Sequence, residues 1–112
     1  MKAQPKPIEF LGDSLEMLRA FPQEARRESG QQLDRVQHGL EPDDWKPMKT
    51  MGAGVKEIRV KDAVGAFRII YLAKLKDAIY VLHCFQKKSG KTSQPDLNLA
   101  IERYKGLVRK AK

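Results

Sequence analysis

Apolar positions change their period twice along the chain. Up to residue 40 they recur every three or four residues; from 55 to 85 they alternate or run together; from 95 the helical spacing returns. Ile8 to Leu11 reads as a short first strand, after a proline-bearing start at residues 1–7 that is expected to be extended or flexible. Asp13 reads as an N-cap with Glu16 completing a capping box, and Leu11, Leu15 and Leu18 predict a helix over roughly 14–20. Phe21-Pro22 breaks it and opens a second helix, whose inner face is Ala25, Ser29, Leu33, Val36 and Leu40 and whose end is marked by Gly39. Residues 41–54, with two prolines, two glycines and the sole tryptophan, read as a long connection.

Three strands are predicted next, at 55–60, 66–73 and 78–85. In the first, Ile58 and Val60 share one face, Glu57 and Arg59 the other. A turn-rich basic loop, 86–94, leads to a final helix from Pro95 with Leu97, Ile101, Tyr104 and Val108 on one face. The order β-α-α-β-β-β-α predicts one α+β domain over residues 1–112. It would be a small twisted antiparallel sheet with an N-terminal helical hairpin and a C-terminal helix, the helices on one face and the other partly open.

Charge changes this picture more than composition does. The chain has 22 Lys+Arg against 14 Asp+Glu, a net +8. Residues 1–44 carry 6 Lys+Arg and 9 Asp+Glu, net −3, whereas residues 45–112 carry 16 and 5, net +11. A polyanion is the partner such a surplus fits, and the C-terminal part should supply the face that binds it. The single cysteine, Cys84, excludes an internal disulfide and a Cys-rich zinc site. Two histidines make a weak basis for a metal centre, so neither metal nor cofactor is expected. With no apolar run near the roughly 20 residues of a membrane span, a cytoplasmic protein with no membrane partner is expected.

No P-loop, GxSxG elbow, HExxH or CxxC occurs. What remains is basic. Arg59 shares a strand face with Glu57, and Arg68 sits in an otherwise apolar strand. Lys87 and Lys88 close the last strand with Lys91 beyond them, and Lys46 and Lys49 lie in the loop that enters the sheet. A meander brings Arg59, Arg68 and the Lys87-Lys88 pair together, as a grip on phosphate requires. For Arg68 two readings stand side by side: a structural pair with Glu57, or a group aimed at an anionic ligand. His83, flanked by Leu82 and Cys84, reads as a packed, hydrogen-bonded histidine, and Trp45 and Tyr104 read as packing residues.

Several segments together carry a family likeness: Trp45-Lys-Pro-Met-Lys49, Gly52-Ala-Gly-Val55, Glu57-Ile-Arg59, Phe67-Arg68-Ile-Ile-Tyr71, Ile79 through Lys88, and Ala100-Ile-Glu-Arg103. Over roughly residues 8–108 the chain resembles the HigB-like, phage-derived branch of the RelE/ParE toxin superfamily. The resemblance implies the fold deduced above, and a toxin of a type II toxin–antitoxin system. The RelE-like reading is an mRNA endonuclease (mRNA interferase) that works on the ribosome and inhibits translation. The ParE-like alternative is a non-enzymatic inhibitor of DNA gyrase; a non-catalytic phage-derived protein that binds nucleic acid or a partner is a further one. Implied partners are the ribosome, mRNA and a cognate antitoxin, a helix-turn-helix HigA-like protein.

The cleavage so implied needs no metal: the RNA 2′-oxygen attacks the adjacent phosphorus and leaves a 2′,3′-cyclic phosphate. By position, Arg68 matches the family's phosphate-holding arginine, Arg59 the basic position on the preceding strand, and Lys87 and Lys88 the basic pair at the last strand's end. Glu57 stands where many relatives have a second basic residue, and is a candidate base. The catalytic set is thus Arg68, Arg59, Glu57 and Lys88, and the RNA-binding set adds Lys49, Lys87 and Lys91. No histidine follows Lys88, and the only tyrosine there, Tyr104, is on the core-facing stripe, so the resemblance assigns no general acid.

Overall fold

The computed structural model describes residues 4–88 and 90–110. Its elements are β1 (Ile8–Phe10), α1 (Ser14–Arg19), α2 (Gln23–Gln37), β2 (Trp45–Pro47), β3 (Val55–Lys61), β4 (Ala66–Leu72), β5 (Ile79–Lys87) and α3 (Gln94–Lys110). The fold is α+β, as expected, around a five-stranded sheet in the order β1-β5-β4-β3-β2. The meander β3-β4-β5 is antiparallel, and β2 adds to it antiparallel. The sheet is nevertheless mixed, because β1 lies parallel to β5, with Ile8 beside Ile79 and Phe10 beside Val81.

Three features depart from the sequence reading. The first is β2, inside the stretch read as a loop. Only three residues long and closed by Pro47, it carries no alternation, and the proline is tolerated because β2 is an edge. The second is the placement of the helices, which cover both faces. Leu18, Phe21, Ala25, Leu33 and Val36 of the N-terminal hairpin pack on Ile58, Val60, Phe67, Ile69 and Tyr71. Leu97, Ala100, Ile101, Tyr104 and Leu107 of α3 pack instead on Val55, Ile70, Leu72, Leu82 and Phe85. β4 and β5 are therefore buried along nearly their whole length, which is why they read as continuous apolar runs. At one point the ring of Tyr104 lies so close to Gly52 that a Cβ there would collide with it.

Local capping is the third. Asp13 is the N-cap of α1 but caps nothing with its side chain. Its carboxylate accepts instead from Arg103 Nη2 at 2.7 Å, a charged partner that outcompetes a backbone amide. Leu40 does not extend the inner face of α2. Gly39, at φ +80°, turns the chain away and leaves Leu40 52% exposed. Of the expected extended start, residues 1–3 lie outside the described residues. Lys6 is tied to the body, its amide donating to Gln37 and its Nζ to the carbonyl of Leu75 at 2.9 Å.

The β3–β4 turn fixes the register on which the site depends. Asp62 Oδ1 accepts from the amides of Val64 and Gly65, and the Asp62 amide donates to Gly65. So clamped, the hairpin sets Arg59 directly opposite Arg68, and β5 in turn sets Phe85 opposite Arg68.

Candidate functional site

Alternation along β3 and β4 sends Glu57, Arg59 and Arg68 to the face that α3 covers only in part. There Glu57 becomes a hub. It is 0% exposed, and its Oε1 lies 3.6 Å from Arg68 Nε, 3.9 Å from Lys46 Nζ and 4.0 Å from Arg59 Nε. Lys46 reaches it because β2 pairs Lys46 with Glu57. From above, Thr92 Oγ1 donates to Glu57 Oε2 at 3.4 Å, so the loop before α3 closes over the carboxylate. Asp44 lies 3.9 Å from Arg59 Nη1, on the outer side.

These ion pairs are longer than hydrogen bonds. Glu57 Oε1, Arg59 Nε and Arg68 Nε are all buried with no hydrogen-bond partner among the described residues. Arg68, 6% exposed, spends Nη1 on the carbonyl of Phe67 at 3.0 Å and leaves Nε uncommitted. Burial pulls its pKa below the usual arginine value; Glu57 opposes that shift and Arg59 adds to it. Three cations around one carboxylate leave a positive surplus, buried at Glu57 and Arg68 and open to solvent at Lys46 and Arg59, and the orphaned polar atoms are costly unless a ligand completes them.

The basic residues at the sheet's end extend this field. Lys87, at the end of β5, pairs with Ala66 and is half-buried. Its ammonium is pulled below the ordinary lysine value by desolvation first, then by Arg68, with Lys46 and Arg59 adding to the effect and Glu57 opposing it. Lys88 and Lys91 are exposed beyond it and line the same cleft as Lys87. Lys49 is not brought here. It lies in the turn after β2, at the end of β3 where Val55 pairs with Leu72, away from Arg59. Lys46 takes its place in the cluster, a position reached only through β2.

A second charged group occupies the same face under α3. His83 is 2% exposed, with Nε2 2.7 Å from Asp96 Oδ1; Ser93 Oγ donates to Asp96 Oδ2 at 2.6 Å. Arg103 donates to the carbonyl of Leu82 at 2.9 Å and to Asp13, and its Nη1 approaches His83 Nδ1 at 3.5 Å. A register shift between β4 and β5 sets this up. Ile70 pairs with His83 and Tyr71 with Val81, so Leu82 is the extra, bulged residue. The histidine is packed and hydrogen-bonded, as its apolar neighbours in the sequence suggested.

Comparison with protein families decides the lineage. The model of the phage-derived Gp49-like proteins (DUF891) matches residues 16–105, most of the chain. The chain belongs to this family. The Gp49-like family is a RelE/HigB-type toxin family, associated with toxin–antitoxin systems, and an antitoxin is the partner it suggests. The match runs from α1 to α3 and so takes in the whole Glu57 cluster. No curated protein matches this Gp49-like chain. Among the described residues no helix is long and apolar enough to cross a membrane.

Proposed function

We propose that this Gp49-like protein is the toxin of a type II toxin–antitoxin pair and acts as a ribosome-dependent endonuclease on mRNA. One observation carries the reading: two arginines in register across β3 and β4, each with a buried and uncommitted Nε, beside a carboxylate with an uncommitted oxygen. A phosphodiester supplies what that cluster lacks, anionic oxygens for the arginines and a hydroxyl proton for the carboxylate.

In this mechanism Arg68 and Arg59 take the non-bridging oxygens of the scissile phosphate, their planar donors fixing its orientation. Glu57 accepts the proton of the ribose 2′-hydroxyl as that oxygen attacks phosphorus. The P–O5′ bond breaks and the departing 5′-oxygen takes a proton from solvent water, leaving a 2′,3′-cyclic phosphate and a 5′-hydroxyl end. Lys87 and Lys88, with Lys46, oppose the negative charge that builds on the phosphoryl group. Lys91 and the more distant Lys49 serve as backbone contacts along the strand. No metal takes part. Access requires the Thr92 loop to lift, which breaks one long hydrogen bond.

A gyrase inhibitor of the ParE kind has no need of an arginine pair in register beside a buried carboxylate, so the cluster favours the nuclease. The test is induction of the protein followed by mapping of cellular RNA 5′ ends. Cuts at codon boundaries in translated messages, together with arrested translation, are expected. Intact messages during arrest would sink the reading, and DNA damage with translation spared would point to gyrase.

A further inference from the structure

A cleft of about 430 Å³ opens beside the Glu57 cluster, at the end of the sheet where β4 begins and β5 stops. Its size falls within the range of small-molecule sites. Phe21, Phe67 and Phe85 form an aromatic floor, and Lys87, Lys88 and Lys91 form a basic rim. The cleft is continuous with the cluster in two ways. Phe85 is the cross-strand neighbour of Arg68, and Lys87 both lines the cleft and feels the charges of Arg68, Arg59 and Lys46.

The remaining wall is polar and held rigid. Asp96 lines the cleft with one oxygen fixed by His83 and the other by Ser93. A carboxylate has about four acceptor positions, so each oxygen keeps capacity for a further donor. A helix cap alone would require only Ser93 and the Asp96 amide, which Ser93 Oγ contacts at 3.3 Å. It would not require a buried histidine to set the angle of a carboxylate facing a cleft. An apolar aromatic floor, a rim for phosphate and one fixed acceptor on the wall match a nucleobase in shape and in charge.

We propose that this cleft is the slot for one unpaired base of the RNA strand whose phosphate lies on the arginine cluster, with Asp96 as the reader of the base's amino edge and His83 and Ser93 as its positioning residues. The proposal rests on the nuclease reading and names the part of the substrate that reading leaves open. A carboxylate acceptor favours adenine, cytosine and guanine, which carry an exocyclic amino group, over uracil.

The test is an NMR titration of the ¹⁵N-labelled protein with AMP, CMP, GMP, UMP and ribose 5-phosphate, the last supplying phosphate without base. The nucleotides should shift the amides of Met17, Gln86 and Ser93, and ribose 5-phosphate should leave Met17 unmoved and shift the other two less. Asp96→Asn should weaken AMP, CMP and GMP by about tenfold, the loss of one charged contact, and UMP less. Because Asp96 also caps α3, a second variant is needed. Met17 is 37% exposed and lines the cleft, so Met17→Trp fills the slot from the surface without disturbing the core, and it should abolish the nucleotide shifts. Equal shifts from ribose 5-phosphate, or unchanged AMP binding in Met17→Trp, overturn the slot. Nucleotide binding at these amides without any mRNA cleavage keeps the slot and removes the nuclease reading. Cleavage without such binding removes the slot alone.

Discussion

Two charged clusters share one face of the sheet, and they are built to opposite standards. Around Arg103 the contacts are short. Asp13 and Asp96 are each bonded at 2.7 Å, Arg103 binds a carbonyl at 2.9 Å, and His83 has a partner at each nitrogen. Around Glu57 the nearest ion pairs stand at 3.6 to 4.0 Å, and three buried polar atoms have no hydrogen bond. The first cluster is closed by folding, and only the outward acceptor positions of Asp96 stay open. Nothing in folding rewards the second for its geometry, since loosely paired buried charges rarely repay their desolvation. The difference separates a group that docks α3 from one whose buried polar atoms are left without hydrogen bonds.

The contrast can be broken most sharply at Arg68. Arg68→Ala should lower RNA cleavage by about 10²- to 10³-fold, the scale of losing one positioned transition-state donor, while the protein still folds. Cleavage assays alongside thermal melts check this; full activity in the variant would make the pair with Glu57 merely structural. Next comes Glu57→Gln. Losing the base should cost about 10²-fold in cleavage, yet removing the competing anion should tighten binding of inorganic phosphate. A structural ion pair predicts lower stability with phosphate binding unchanged.

Arg103→Ala tests the other cluster. It releases the half-exposed Asp13 to water and leaves the carbonyl of Leu82 without its donor, and should cost about 1–3 kcal/mol in denaturant unfolding, with cleavage per folded molecule retained. The smallest effect is on pH dependence. The hydrogen bond from Arg103 holds Asp13 below its ordinary value of 3.8. A depressed carboxyl contributes stability above its unfolded pKa and loses it as pH falls through the folded one. Stability should therefore decline below about pH 3.8, and Asp13→Asn should decline less steeply over that range. Identical acid limbs would detach Asp13 from the docking of α3.

The sequence made some of this legible and hid the rest for physical reasons. Alternation in β3 put Glu57 and Arg59 on one face, and a lone charge in β4 singled out Arg68, because strand periodicity is local. The same rule could not find β2, whose three residues are shorter than any pattern, and so nothing in the sequence marks Lys46 above Lys49. Nor could it show that α3 lies on the opposite face from the hairpin, since an amphipathic stripe does not name its partner. Burial of Glu57 under Thr92, and the bond between His83 and Asp96, arise from a loop and a bulge, where side-chain direction depends on tertiary context.

The parallel pairing of β1 with β5 bears on how this protein comes into being. Strand β1 is made before the rest of the sheet, and among the described residues its one partner there is β5, the strand furthest along the chain. Seventy or so residues must therefore be held between them before the edge can close, a long-range closure that slows folding. At ordinary elongation rates of about 5–20 residues per second, β1 waits some seconds for its neighbour. The arginine pair on β3 and β4 is likewise uncovered until β5 and the Thr92 loop have emerged. The sheet, and with it the arrangement of Glu57, Arg59 and Arg68, is therefore assembled only after β5 has been made.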